Sequence, residues 1–593
     1  MAFFTSVGYS NQKSLTNDFG FSDAASNSGS HKYNFRTNFD FNIIPLTEIN
    51  VSLSGQVRET KIITDRNSSV DMWGRYRDLM LNIYEAPPFS APGVSDGRII
   101  TDYAGGTIMD SNKGAWGKSP IAYMLEKAQA RINQSSLNTS IRIRHRMDYL
   151  VEGLSVRGAL SYDHYFTKTL RVAPNLPVYS ITRNPADPAE LLYYGGEHNA
   201  KSYEETGWGK NRKVYVEAGI DFSRDFGKHA VTAMALVTGE RYTSPGLKYN
   251  VPRGYYGVVG RVTYGYDQRY LAEFNMGYNG SENYPSGRRF GFFPAGSIGW
   301  IATNEGFLKD NKVLTFLKLR ASYGVTGNNR ISYNAALEVL NSANYVTGKG
   351  TGALVNGSAN ISSSLANSNI TWEQTDEFNY GLDLGLFNNR INLAIDAYYS
   401  VTRALLFEQP TQSFTRYTHY WNNIGKVRNS GLEIQLDTHN MKSRKFSWDT
   451  NINFSLSRNK LLELGGEQQM ISLGERNEGY LAKVGEPLIQ FYGYKTCGVW
   501  NSAEEIAANP HFSDDAPGGI RIVDTNNDGS LTPEDRVALG TPYPDFTWGI
   551  TNTFQIKDFD ISFLIQGVQG ITDMIYNPGS VSYTHLRAHE TAA

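Results

Sequence analysis

"KYNFRTNFDFNII", residues 32–44, decides the fold. Tyr33, Phe35, Phe39, Phe41 and Ile43 are apolar, while Asn34, Arg36, Asn38, Asp40 and Asn42 between them are polar. Successive side chains of a strand point to opposite faces, so this spacing makes one greasy face and one wet one. After the break "PLTE" (45–48), "INVSLSGQVR" (49–58) repeats the pattern, with Ile49, Val51, Leu53 and Val57 set against Asn50, Ser52, Ser54, Gln56 and Arg58. Two alternating runs joined by a few turn residues read as a hairpin.

Working outward, the same unit recurs at 137–149 with 154–166, 214–222 with 230–240, 256–266 with 270–280 and 293–302 with 314–325. It continues at 373–386 with 390–400, 424–438 with 446–458 and 546–556 with 558–568. "FFTSVGY" (3–9) adds one more strand, which makes roughly seventeen. Connections inside the pairs are mostly short, such as "VEG" (151–153), "FNN" (387–389) and "KD" (557–558). Those between pairs are long: 59–136, 167–213, 326–372 and 401–423, with 459–545 as one excursion in which "LIQFYGY" (488–494) could pass for a strand. Short turns at one end and long loops at the other, joining strands of about ten residues, is the pattern of a transmembrane β-barrel. A soluble sandwich, propeller or lectin also alternates, but its strands cluster at about five or six residues.

Composition narrows the class further. The chain carries 37 Tyr, 29 Phe and 57 Gly, an inventory suited to strands and turns. Its longest greasy stretch, "AVTAMALVTG" (230–239), falls short of the about 20 apolar residues that a membrane helix needs. Lys and Arg number 56 against 58 Asp and Glu, which implies no nucleic-acid partner. The single cysteine, Cys497, excludes an internal disulfide and reads as incidental. The predicted class is all-β: an antiparallel transmembrane β-barrel with long extracellular loops.

Several segments resemble a known family. "GRVTYGYDQRYLAEFNMGYNGSENYPSGRRFGFFPAGSIGW" (260–300), "LKLRASYGVTGNN" (317–329) and "TWEQTDEFNYGLDLGLFNNRINLAIDAYY" (371–399) are similar to the barrel of SusC/RagA-type TonB-linked outer-membrane transporters. So are "NIGKVRNSGLEIQL" (423–436) and the stretch from Gly519 to Gly570. The resemblance implies a barrel of about 22 strands, of which this chain supplies roughly 17. It also implies a plug, a TonB-contact segment and a signal peptide, none of which has a counterpart here, so truncation at both ends is expected. On this reading 1–580 is a partial barrel, and "VSYTHLRAHETAA" (581–593) is a non-native tail.

The family further implies import without bond chemistry, in the outer membrane of a Gram-negative, Bacteroidota-type bacterium. The expected partners are a SusD-like surface lipoprotein, the TonB complex acting through the plug, outer-membrane lipid, and an oligosaccharide or peptide solute. A siderophore or micronutrient importer, or a non-transporting surface receptor or adhesin, stands as the alternative.

One motif falls outside the alternation. "DTNNDGSLTPED" (524–535) spells a calcium loop, with Asp524, Asn526 and Asp528 at positions 1, 3 and 5, and Gly529 at the sharp turn. The Ser530 backbone carbonyl would be the position-7 ligand, and Asp535 stands at position 12 in place of the usual Glu. The same residues would equally form an Asx-turn-rich loop whose side chains cap their own backbone. If "KD" lies on the periplasmic side, this loop is extracellular, and a bound Ca²⁺ would be structural. Enzyme motifs fail. "GAWGKS" (114–119) lacks the first glycine of a phosphate loop, "GKGTG" (348–352) reads as a loop tip, and neither H-E-x-x-H nor G-x-S-x-G occurs. His145, His229 and His439 show no ligand spacing. Trp116, Trp208, Trp421 and Trp500 lie in or beside long loops, where they read as packing or girdle residues, or as platforms for sugar rings.

Overall fold

The computed structural model describes residues 2–14, 19–21, 28–64, 91–103, 119–126, 128–173, 176–187, 189–196, 202–244, 251–309, 311–331, 341–347, 355–361, 364–410, 419–465, 469–473 and 479–573. The chain forms two compact units. The first comprises 1–147, 155–218 and 238–254; the second comprises 148–154, 219–237 and 255–593. The tail from 581 and both glycine-containing motifs that mimic phosphate loops, apart from Ser119, lie outside the described residues.

In the first unit, Ala2–Lys13, Gly29–Ile44, Thr47–Thr64, Ala128–Arg146 and Leu154–Ala173 pair antiparallel in that order. The opening hairpin holds the register that the alternation requires, Phe35 opposite Gly55 and Phe39 opposite Val51. In the second unit, nine antiparallel pairings run in sequence order through ten strands, from Arg253–Tyr266 to Phe559–Gln569. Ser202–Phe226 and His229–Thr243 contribute residues to both units. Five, ten and two give seventeen long strands among the described residues, the number predicted from alternation.

Strand length follows from the environment. Tyr270–Ser281 has 12 residues. At about 3.4 Å per residue it is about 40 Å long, and a tilt of roughly 40° makes it about 30 Å high, enough for an apolar band of about 25 Å. Tyr270, Ala272, Phe274, Met276 and Tyr278 are exposed, and Leu271, Glu273, Asn275 and Asn279 between them are less so. The apolar row is therefore the outward one, and the charged and amide row faces the other side.

The long connections are where the structure departs from expectation. The segment 401–423 is mostly strand: Ile391–Pro410 and His419–Lys442 pair as far as Pro410 with His419. A bulge hides this, since the register shifts between Thr402 and Leu405, and Ala404 takes φ +55°, so strict alternation fails there. Wall strands likewise extend into 59–136 and 167–213, reaching Thr64 and Ala173 and resuming at Ala128 and Ser202. Parts of these same connections build a satellite sheet in the first unit, from Val94–Ser95, Arg98–Tyr103, Val178–Arg183 and Leu191–Gly195. Ile99 and Leu125, both wholly buried, anchor its core with Ile63. Segment 137–149 ends as strand at Arg146, where the turn begins.

The excursion of the second unit is a folded body of its own. Phe446–Leu464 pairs directly with Phe546–Ile556, so the wall closes over it. "LIQFYGY" does contain a strand, Gln490–Tyr494, but in a separate four-stranded sheet with Gln469–Leu473, Gly479–Lys483 and Arg536–Gly540. A hairpin of Thr496–Val499 with Ile520–Ile522 and the short helix Ala503–Ala507, capped by the Ser502 hydroxyl, complete it.

Candidate functional site

The two ends of the second unit are built differently. Antiparallel pairing of successive strands places the turns at 227–228, 267–269, 302–313, 387–390, 443–445 and 557–558 at one end. Each is tied by a backbone hydrogen bond to the next stretch of chain along the rim. Asp267 N–H donates to Lys228 O (2.7 Å), Ile301 to Arg269 (2.8 Å), Phe387 to Val313 (2.8 Å), His439 to Arg390 (2.8 Å) and Lys557 to Lys445 (3.0 Å). Asp267, Gln268, Phe387, Asn388, Asn389 and Lys557 all adopt positive φ, which tight turns between twisted strands demand. Beside them, Glu305 accepts from Tyr270 Oη (2.7 Å), Arg269 (2.9 Å) and Trp300 Nε1 (3.2 Å), and the Tyr270 hydroxyl chiefly holds its carboxyl below the usual range. Two aromatic side chains are thereby fixed at the short-turn end, as an interfacial girdle needs.

At the other end, among the described residues, lie 282–289, 364–372 and 479–545. Trp372, 4% exposed, lies tilted against Tyr284 (5.1 Å) and meets Phe293 edge-on (5.2 Å), with Ile331 and Ile370 closing the cluster. Its indole N–H donates to Arg289 O (2.9 Å). Trp421 packs against this cluster, and Trp500 is buried in the excursion with the Arg521 guanidinium 5.1 Å from its ring centre. Both therefore serve loop packing rather than offering an open ring face. The side chains of Trp116 and Trp208 lie outside the described residues.

Between the ends, the inner row carries charge. Arg320 holds Asp383 through Nε (3.0 Å) and Nη2 (2.9 Å), and Asp396 through Nη1 (2.7 Å) and Nη2 (2.9 Å). The guanidinium lies across Gly381, where an added Cβ would stand 2.4 Å from Arg320 Cζ. Arg261 likewise binds Glu273 (3.0 Å), which also accepts from Asn275 (2.7 Å). These residues went unnamed from sequence, yet each occupies a polar phase: Arg320 in "LKLRASYG", Asp383 in "GLDLGL", Asp396 in "NLAIDAYY".

The 524–535 loop is drawn onto its own backbone. Gly529 N–H donates to Asp524 Oδ2 (2.9 Å), Asp528 N–H to Asn526 Oδ1 (2.9 Å) and Ser530 N–H to Asp528 Oδ1 (2.8 Å). Asp535 is wholly buried and accepts from the N–H groups of Thr525 (2.8 Å) and Thr532 (2.8 Å), forming a capping box with Thr532. These donors, Thr532 first, hold its carboxyl below the usual range despite burial. Asn527 (φ +57°) and Gly529 (φ +84°) supply the sharp turn. Among the described residues no three His, Cys, Asp or Glu side chains are grouped as metal ligands. One atom is left over: Asp524 Oδ1 is buried with no hydrogen-bond partner, and it belongs to loop position 1. The donor chemistry is that of a hard cation, oxygen throughout. His145, His229 and His439 sit beside short turns and contact Thr47, Tyr264 and Asp449.

Comparison with known proteins places this wall. The family model "TonB dependent receptor-like, beta-barrel" matches residues 3–584. The chain is 32% identical to TonB-dependent receptor P3 of Formosa agariphila, over 64% of this chain and 38% of that protein. It is 26% identical to receptor P26 of the same organism, over 97% and 56%, and 30% identical to TonB-dependent receptor SusC of Bacteroides thetaiotaomicron, over 55% and 32%. It thus spans from about a third to just over half of the length of these curated relatives. A solved structure of the RagAB peptide importer in its open-open state superposes with a TM-score of 0.68 at 18% identity, covering 96% of this chain and 59% of that one. That likeness is one of fold. Over almost its whole length the chain belongs to the TonB-dependent receptor-like β-barrel family, whose members stand in the outer membrane.

Proposed function

We propose that this wall belongs to a TonB-dependent importer that takes an oligosaccharide or a peptide from the cell surface beneath a SusD-like lipoprotein lid. One observation carries the reading: in the second unit five of the six connections described at one end are turns of two to four residues, whereas the excursion with its own sheet stands at the other. A rim of short turns suits the periplasmic side, and an excursion with its own sheet and core offers a surface on which a lid can sit. The inner row of Arg320, Asp383 and Asp396 makes the interior hydrophilic, which favours a polar solute. The RagAB structure is described as that of a peptide importer, which supports the peptide alternative, and SusC bears the name of a TonB-dependent receptor, which supports dependence on TonB. TonB would act through a plug.

The test uses the natural protein in its own outer membrane. Uptake of a labelled oligosaccharide or peptide that disappears when TonB is removed supports import; TonB-independent uptake, or none, sinks it. Replacing 466–544 by a short turn should abolish co-purification of a lipoprotein while the wall stays assembled. Undiminished co-purification would remove the excursion from the lid's seat.

A second reading concerns the 524–535 loop, which we propose binds Ca²⁺ as a structural ion. The partnerless, buried Asp524 Oδ1 supports it, with Asn526, Asp528, the Ser530 carbonyl and Asp535 as the other oxygens. The cation would neutralise carboxylates that otherwise repel. Millimolar Ca²⁺ should slow proteolysis of 520–540, and Asp524→Ala with Asp528→Ala should erase that effect. Protection that ignores Ca²⁺ would leave the loop as a self-capped turn.

A further inference from the structure

On the outward face of the second unit, neighbouring strands share a groove of about 460 Å³. Its floor is made by Ala272, Gly296 and Ala321, and its walls by Phe274, Tyr323 and Phe378. Cross-strand register produces it. Gly296 stands directly between Phe274 and Tyr323, and Ala321 between Ile298 and Tyr380, so small residues alternate with large ones across the sheet. A Cβ added to Gly296 would meet nothing nearer than the Glu273 carbonyl at 3.7 Å. No side chain fills the space.

Polar bands bracket this slot. At the short-turn side, Tyr270 and Trp300 are held by Glu305. At the long-loop side, the Tyr323 hydroxyl donates to Asp376 Oδ1 (3.0 Å), and Arg403 clasps the same carboxylate through Nη2 (2.8 Å) and Nε (2.8 Å). The lining between them is chiefly apolar, with Glu273, Ser297 and Ser322 also bordering it, and its apolar side chains are continuous with the rows that meet the membrane. In hydrocarbon no transfer of apolar surface from water drives binding, but a void leaves its lining without partner atoms and forfeits their dispersion contacts.

We infer that the groove seats one acyl chain of an outer-leaflet lipid, extended along the wall with its carbonyl end beside Tyr323, Asp376 and Arg403. The choice of leaflet rests on the orientation proposed above; the groove and its occupant do not. The alternative occupant is a side chain from a second copy of this protein.

Proteoliposomes of the natural full-length protein provide the test, with a phospholipid carrying a diazirine in mid-chain, present in both leaflets, as the probe. Photolabel should concentrate in peptides 270–281, 290–301 and 314–328 over 128–146, whose exposed Ile141 stands between the large side chains Val51 and Leu160. Gly296→Phe should abolish the excess while leaving label on 128–146 unchanged, which also shows that the variant is assembled. Ala321→Phe should repeat the loss. Even labelling of all these peptides, or excess label that survives Gly296→Phe, overturns the proposal, as does a disulfide-linked dimer formed efficiently by Gly296→Cys.

Discussion

The short-turn end and the long-loop end of the second unit use the same chain in opposite ways. At the first, contacts are local and made largely by backbone: apart from 302–313, two to four turn residues, often at positive φ, and one hydrogen bond to the next stretch of chain. At the second, stability comes from side chains distant in sequence, as when Trp372 meets Tyr284 and Phe293. The first arrangement depends on turn geometry and tolerates many side chains; the second depends on a few large ones.

The comparison is broken most severely at Trp372. Trp372→Ala removes the centre of the loop-end cluster and should cost about 3–5 kcal/mol of local stability. Limited proteolysis of outer-membrane vesicles should then cut 282–289 and 366–372 while the strands stay protected. Equal resistance in variant and parent would mean that the loops at this end do not need their aromatic core.

Next comes the charge row between the ends. Gly381→Ala places a methyl group against the Arg320 guanidinium and should push it off Asp383 and Asp396, at a cost of about 1.5–3 kcal/mol for hydrogen bonds to charged groups. Thermal unfolding should fall, and Arg320→Met in the same background should add little further loss. Additive losses would show that the clamp survives the alanine.

A pH effect should be confined to the excursion. Asp535 has its carboxyl lowered by the N–H donors of the loop, so its contribution is fully present above the unfolded value of about 3.9 and fades as pH falls through the lower folded value. Proteolytic protection of 520–540 should be flat from neutral pH down to about 4 and collapse below that. Asp535→Asn should flatten the acid limb. Loss of protection near pH 6 would point to another group.

The smallest effect sharpens the other side. Gln268 sits at φ +53°, where a side chain costs about 1 kcal/mol. Gln268→Gly should raise the unfolding midpoint slightly or leave it unchanged, since relief of strain opposes the greater freedom of glycine in the unfolded chain. A marked destabilisation would mean that the Gln268 side chain, rather than the backbone, maintains the turn.

Legibility divides along the same line. The wall could be read because one bit per residue, greasy or wet, repeats along strands such as Tyr270–Ser281, and each short turn is a few letters long. Pro410 opposite His419 could not, because the bulge at Ala404 breaks the phase just where the hairpin continues. Tyr284 with Trp372 could not either, since nothing local encodes a contact across 87 intervening residues. The charge clamp was half visible: polar phase marks Arg320, Asp383 and Asp396 as inward, but only cross-strand register tells which of them meet. In the 524–535 loop the spacing announced oxygen ligands, and the same oxygens satisfy the backbone.

The direct pairing of Phe446–Leu464 with Phe546–Ile556 has a consequence for the order of assembly. Joining two strands across roughly eighty residues costs about 3 kcal/mol more chain-closure entropy than joining them across two, since each doubling adds about 0.6 kcal/mol. The excursion removes most of that penalty by folding on itself. Its small sheet holds Gln469–Leu473, a few residues beyond one end of the gap, in the same body as Arg536–Gly540, a few residues before the other. A segment that looks like an ornament on the wall thus acts as a splint, closing a long detour before the strands on either side of it zip together.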